Sequence, residues 1–386
     1  MMYDGYSKWL VRLYRTGTVL TVWASCLLLG TALAGWAEVP TPLSSSPFTF
    51  TSPPAGQNSN LALLNPDETR LFVTNQRSNT ITVLNVASDG TLTFFGTYDT
   101  TPSIYATGMA LNPAGDRLYV TTYSDTMNVH RVQADGSLPQ LQAASLGTES
   151  SAGNSIVYVS IAGGDFVYVN NNEVPNTVTA FRVETDGTLT IQEVVSTAGN
   201  GNPIGLFAAP RLLAGSDDRL YAVNEGSNAI AVFTIAPSTG SLLQVPGSPF
   251  GLPPNATSSG ALAISADAAN LYAGTREGTI VQYHINGSNG TLSLGQVGFT
   301  GIIDDLAGMV VDPTGTLVVG VLFLEKRLAV LHTATMTPVT SSPFNTDITS
   351  PSAYPTGAIL NRTGNLLFTG TANNTNTQVS GYMFSP

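Results

Sequence analysis

The apolar residues of this chain gather in short runs, not along a helical stripe. Leu71-Phe72-Val73, Leu118-Tyr119-Val120, Phe166-Val167-Tyr168-Val169 and Leu220-Tyr221-Ala222-Val223 are runs of strand-forming types, most of them preceded by a polar turn. Weaker versions begin at Leu271, Leu317 and Leu366. Aligned on Leu71, Leu118, Phe166, Leu220, Leu271, Leu317 and Leu366, the seven copies are spaced by 47, 48, 54, 51, 46 and 49 residues. Turns such as Asn65-Pro66-Asp67-Glu68 and Asn112-Pro113-Ala114-Gly115 suit chain reversal. Proline presets φ and needs no N–H, and asparagine closes the turn through its side chain. Self-similarity at this period marks a β-propeller or a solenoid.

Each copy contains further strands. After Phe72-Val73-Thr74-Asn75 come a polar loop, the alternating stretch Thr80–Val86, a hairpin turn Ser88-Asp89-Gly90-Thr91, and Leu92-Thr93-Phe94-Phe95. The Asp-Gly turn returns at Asp135-Gly136 and Asp186-Gly187, with Thr239-Gly240 and Asn289-Gly290 in its place later. Four antiparallel strands per repeat describe a propeller blade, so the predicted fold is all-β and seven-bladed. The last repeat stops one strand short. Thr41-Pro42-Leu43-Ser44-Ser45-Ser46-Pro47-Phe48 mirrors Thr337-Pro338-Val339-Thr340-Ser341-Ser342-Pro343-Phe344, and Gln244–Phe250 is a third relative. Residues 41–50 are therefore expected to complete the last blade and remove two open sheet edges. The propeller is expected as a single domain over 41–386.

The N-terminus has a different pattern. Lys8, Arg12 and Arg15 precede an apolar stretch from Val19 to Leu33, followed by small residues at Ala32-Leu33-Ala34 and again at Gly35-Trp36-Ala37. This is the layout of a secretory signal peptide over 1–34, with position 37 as a second cleavage point, and it predicts export to the periplasm, surface or medium. Cys26, the only cysteine, falls inside it, so the remaining chain has no disulfide, thiolate metal site or thiol nucleophile. After residue 34 there are 11 basic and 24 acidic residues, a net charge of −13, and Lys326 is the only lysine. Such a surface repels nucleic acid and anionic membranes, leaving membrane contact only through an uncleaved leader.

A propeller gathers the loops between second and third strands, and those between blades, on one face around a central channel. The first kind supplies Arg77, Tyr123, Asp125, Glu173, Glu225, Arg276, Glu325 and Lys326. The second supplies Tyr105, Asn154, Asn202, Asn255, Asp304, Asp305 and Tyr354. Within this rim Arg77, Tyr123, Asp125, Glu173, Asn202, Asp304, Asp305, Lys326 and Tyr354 are the candidate ligand contacts. Asp304-Asp305 reads as a solvated acidic pair. His130, His284 and His332 lie on predicted third strands, away from this rim, in structural or solvent-facing positions. No grouping of His, Cys, Asp or Glu has metal-ligand spacing, and no cofactor motif is present.

At these residues the chain resembles the seven-bladed lactonase family, which includes 6-phosphogluconolactonase-like proteins. Phe72-Val73-Thr74-Asn75 with Ser78-Asn79-Thr80-Ile81 is also similar to the YVTN propeller repeats of surface proteins. The resemblance implies a Glu in a Val-Asn-Glu motif and an Arg in the following blade. Tyr221-Ala222-Val223-Asn224-Glu225 and Thr275-Arg276-Glu277-Gly278 match these, making Glu225 and Arg276 the catalytic candidates. A carboxylate can orient water and a guanidinium can hold a carboxylate or oxyanion. The family's Gly-Pro-Arg-His segment is here Gly201-Asn202-Pro203-Ile204-Gly205, without Arg or His, and its other His falls near Gly153-Asn154-Ser155. The expectation is thus an exported propeller, a monomer or a subunit of a larger assembly, that binds a small molecule or a protein at the channel mouth. The alternative is a metal-independent lactone hydrolase using Glu225 and Arg276.

Overall fold

The computed structural model describes residues 38–50, 59–147, 153–202, 212–214, 219–373 and 376–384. The leader expected over 1–34 lies outside them, as do Pro203, Ile204 and Gly205. The described residues form seven antiparallel sheets. Six consist of consecutive strands, over 59–99, 106–145, 155–196, 212–251, 258–299 and 306–345. The seventh takes Tyr354–Leu360, Leu366–Ala372 and Thr377–Phe384 from the C-terminal end, and Pro40–Pro42 and Phe48–Phe50 from the N-terminal end. The first strand of every blade neighbours that of the next, and blade seven neighbours blade one, so the ring is closed.

The short apolar runs have a direct cause. A blade packs both faces against neighbours, so its second strand is buried on both sides and reads as continuous apolar sequence. In blade one, Phe72 packs toward blade two while Leu71 and Val73 pack toward blade seven, because side chains alternate along a strand. Seven hydrophobic clusters result, one in each seam between neighbouring blades. All seven residues on which the repeats were aligned are buried.

Closure follows the Ser-Pro-Phe segments. Pro40–Pro42 pairs with Tyr382–Phe384, and Phe48–Phe50 with Thr377–Val379. Between the two pieces Gly381 N–H donates to Ser46 Oγ at 2.8 Å. The same device recurs where Val232 N–H donates to Ser248 Oγ at 2.8 Å and Val330 N–H to Ser342 Oγ at 2.9 Å. In each case a serine hydroxyl replaces a ladder partner where the outer strand is interrupted. The closing seam also has a polar layer: Thr377 Oγ1 donates to Asn75 Oδ1 at 3.1 Å, and Gln378 N–H to Ser59 Oγ at 3.2 Å.

With up-and-down strands, the Asn-Pro turns and outer hairpins share one end of the propeller, the turn face. The remaining loops share the other, the loop face. Between the faces, the first strands enclose a cavity of about 400 Å³ lined chiefly by apolar residues, among them Leu61, Leu63, Met109, Ile156, Leu262, Met309 and Ile359.

Candidate functional site

The second strand of blade four, Arg219–Asn224, ends at a fully buried asparagine. Asn224 Oδ1 accepts from Asn176 Nδ2 at 2.9 Å and from the Thr197 hydroxyl, while Asn224 Nδ2 donates to the Thr197 carbonyl at 3.2 Å. This clamp fixes the strand end against blade three. Glu225 follows in a 3-10 turn, Glu225–Ser227, closed by Asn228 in the left-handed conformation, which asparagine tolerates. The link from blade three passes so close that side chains are excluded. A Cβ on Gly201 would lie 2.3 Å from the Asn172 carbonyl carbon, and one on Gly226 2.3 Å from the Gly201 oxygen.

Asn172, with φ of 48°, then grips the Asn202 backbone with both ends of its amide. Asn202 N–H donates to Asn172 Oδ1 at 2.9 Å, and Asn172 Nδ2 to the Asn202 carbonyl at 2.8 Å. So placed, Asn202 donates its Nδ2 to Glu225 Oε1 at 3.1 Å. Arg276 Nη2 reaches the same oxygen at 2.6 Å, and its Nε donates to the Ser258 carbonyl at 3.2 Å. Loops of three blades therefore converge on one carboxylate. The Glu225 side chain is 2% exposed and that of Arg276 41%. A buried charge survives only when paired and hydrogen-bonded, and here both conditions are met. The arrangement orients a guanidinium from below and leaves part of its planar donor fork facing outward, the geometry that suits a carboxylate or developing oxyanion.

A second group forms between blades six and seven. The Lys326 ammonium donates to the Ser350 carbonyl and lies 4.9 Å from the centroid of the Tyr354 ring, which stacks on Phe323 at 4.8 Å. Burial lowers the Lys326 pKa from its ordinary value, while the ring face favours its charged form. Asp304 supports this loop. It is buried, not part of a solvated pair, and accepts the backbone N–H groups of Asp305 at 2.7 Å, Leu324 at 3.0 Å and Glu325 at 2.7 Å. Asp305 is half-buried, and its carbonyl accepts Phe323 N–H at 3.0 Å.

The other rim residues are dispersed. Arg77 and Asp125 are exposed on the loops of blades one and two, and half-buried Tyr123 donates its N–H to the Tyr105 carbonyl at 2.9 Å. Glu173 is half-buried, and its carbonyl accepts Gly201 N–H at 2.6 Å. The histidines occupy third strands. Nδ1 of buried His130 faces the Leu138 carbonyl at 3.1 Å, His284 contacts Asn270, and His332 contacts Glu38 at 3.5 Å. Sequence reasoning missed Asn172, Asn228 and Phe323 as builders of these groups. The one available signal was asparagine just after a second strand, a residue suited to left-handed turns.

The sequence model of the family described as "Lactonase, 7-bladed beta-propeller" matches residues 106–250 and 208–321. No curated protein matches the sequence at a significant level. Among solved structures, the periplasmic gluconolactonase PpgL of Pseudomonas aeruginosa is 20% identical, with a TM-score of 0.58 over 74% of this chain and 86% of that one. The hydrazine synthase of Kuenenia stuttgartiensis is 14% identical, with a TM-score of 0.63 over 86% of this chain and 98% of that one. A β-propeller domain from Myceliophteria thermophila is 9% identical, with a TM-score of 0.62 over 89% and 99%. Proteins of such different description share the architecture, so these likenesses speak for the fold alone.

Proposed function

The chain belongs to the seven-bladed β-propeller lactonase family, and from that premise we propose that it is an exported binding protein for a small carboxylate or lactone, of the sugar-acid class, held at the loop face by Arg276. One observation carries the reading: a half-exposed guanidinium sits on a buried carboxylate, 2.6 Å from it. Glu225 neutralises and aims Arg276, and Asn202 keeps Glu225 in place. An arginine held this way gives up little side-chain freedom when it receives an anion, so more of the interaction energy goes to binding. Burial argues against Glu225 itself as a water-activating base, because a general base must reach the proton it takes. The export part of this reading rests on the leader-like pattern of residues 1–34.

Lactone hydrolysis is the second reading, favoured by family membership and by the joining of Glu225 to Arg276. Calorimetric titration with gluconate, alongside hydrolysis of glucono-1,5-lactone, separates the two. The binding reading predicts saturable gluconate binding that is lost in Arg276→Ala, and no protein-dependent hydrolysis above the spontaneous rate. Hydrolysis by the parent that disappears in Glu225→Gln would establish the enzyme instead. No gluconate binding and no hydrolysis would remove both.

A further inference from the structure

On the turn face the seams between blades are not equivalent. Arg70, Arg117 and Arg219 each open a second strand and reach across to the outer hairpin of the next blade. Their Nη2 groups donate to the carbonyls of Asp135 at 3.2 Å, Asp186 at 3.2 Å and Gly287 at 2.9 Å. The hairpin glycine lies against the arginine in each seam. A Cβ on Gly136 would come within 2.8 Å of Arg70 Cζ, one on Gly187 within 2.3 Å of Arg117 Nε, and one on Gly290 within 2.5 Å of Arg219 Nε. In blades three, five, six and seven the equivalent positions are Asp165, Asn270, Thr316 and Asn365, and beside Asn270 the seam from blade five toward blade six holds a cleft of about 700 Å³.

The chemistry of that cleft follows from its hydrogen bonds. Asn270 Oδ1 accepts from Gln282 Nε2 at 3.2 Å and pairs with His284 Nδ1 at 2.9 Å. An amide oxygen carries no proton, so His284 Nδ1 is the donor, and a ring whose one proton sits on Nδ1 offers Nε2 as an acceptor. Gln296 Nε2 donates to the Ala334 carbonyl at 2.9 Å, which leaves Gln296 Oε1 as another acceptor. One oxygen of Asp267 accepts from the Ser265 hydroxyl at 2.6 Å and the Ala269 N–H at 3.0 Å, leaving its second oxygen. Neither lysine nor arginine is among the lining residues. The cleft thus offers acceptors and one carboxylate where three sister seams hold a guanidinium of the chain itself.

We propose that the cleft between blades five and six binds a small organic cation bearing N–H donors, an alkylammonium or alkylguanidinium. Such a group supplies the donors that Arg70, Arg117 and Arg219 supply elsewhere, with Asp267 as counter-ion. The site lies on the face opposite Arg276, so it and the loop-face reading fail independently.

The test is calorimetric titration of the full chain with agmatine, and with erythritol as the uncharged probe. Saturable one-to-one agmatine binding is expected, with none for erythritol. Asp267→Asn should weaken it at least tenfold. Asn270→Arg, which installs the arginine that blades one, two and four carry at this position, should abolish it without lowering the melting temperature. Asp89→Asn removes an equal charge from a turn in blade one and should leave binding unchanged. Absence of agmatine binding, equal losses in Asp267→Asn and Asp89→Asn, or full binding by a folded Asn270→Arg protein would each overturn the proposal.

Discussion

The two faces of the propeller come from the same seven repeats, yet they are held together differently. On the turn face one device recurs in three of the seven blades: an arginine that opens the second strand clasps the next hairpin, at Arg70, Arg117 and Arg219. On the loop face each junction is its own construction. Asn224 clamps blade four to blade three, Asn172 grips Asn202, and Lys326 covers Tyr354. The repeated clasp reinforces seams that the apolar clusters already build, and the irregular junctions of the other face gather groups that chemistry can use. Where the position holds Asn270 instead, a cleft of about 700 Å³ lies in the seam.

The comparison can be broken at several points, taken here from the largest expected effect. Deleting residues 38–50 removes the outer strand of blade seven and the buried Phe48, and leaves Thr377–Phe384 as an open edge. A loss above roughly 4 kcal/mol is expected, beyond the reach of most single changes. Scanning calorimetry checks it, and an unchanged melting temperature would contradict ring closure.

Next comes Leu118→Ala, in the repeat anchor of blade two. It opens a cavity in the seam with blade one and should cost about 2–5 kcal/mol in denaturant unfolding without touching gluconate binding. Arg276→Ala should do the reverse. It leaves Glu225 with less hydrogen bonding and costs about 1–3 kcal/mol, but removes binding. Arg117→Met keeps most of the stem and loses the bond to Asp186, so about 1 kcal/mol is expected by urea titration.

The smallest effect concerns pH. Burial holds the imidazole of His130 below its ordinary value. The unfolded chain therefore takes up a proton first, near pH 6.5. The contribution is complete above that pH and declines as pH falls below it toward the folded-state value. Urea unfolding at pH 7 and pH 5.5 should show a larger drop for the parent than for His130→Asn, and equal drops would remove His130 from the account.

Much of this was legible in the sequence, for a physical reason. Second strands such as Arg70–Asn75 are covered on both faces, so each repeat announces itself as an apolar run after a polar turn. The closing strand was legible because Ser46, Ser248 and Ser342 perform one task in three blades and keep similar neighbours. Glu225 and Arg276 were found through a motif, and the fold places them 2.6 Å apart. The supports of that pair were not legible. Asn172 acts on Asn202 thirty positions later, across a blade boundary, and no period encodes such a contact. Asp304 looked solvated because its neighbour is also acidic, whereas its oxygens are taken by the backbone of a loop twenty residues on. Asn270 looked like one more weak copy of the repeat, and only the packed seam reveals what its short side chain leaves open.

The central claim is that Arg276, aimed by Glu225, is the anion contact of the loop face. Crystals of the protein soaked in gluconate test it most directly. The account predicts the ligand carboxylate within hydrogen-bond distance of the Arg276 guanidinium, with the Glu225 pair intact beneath it. Gluconate bound elsewhere at full occupancy, with Arg276 untouched, would contradict it.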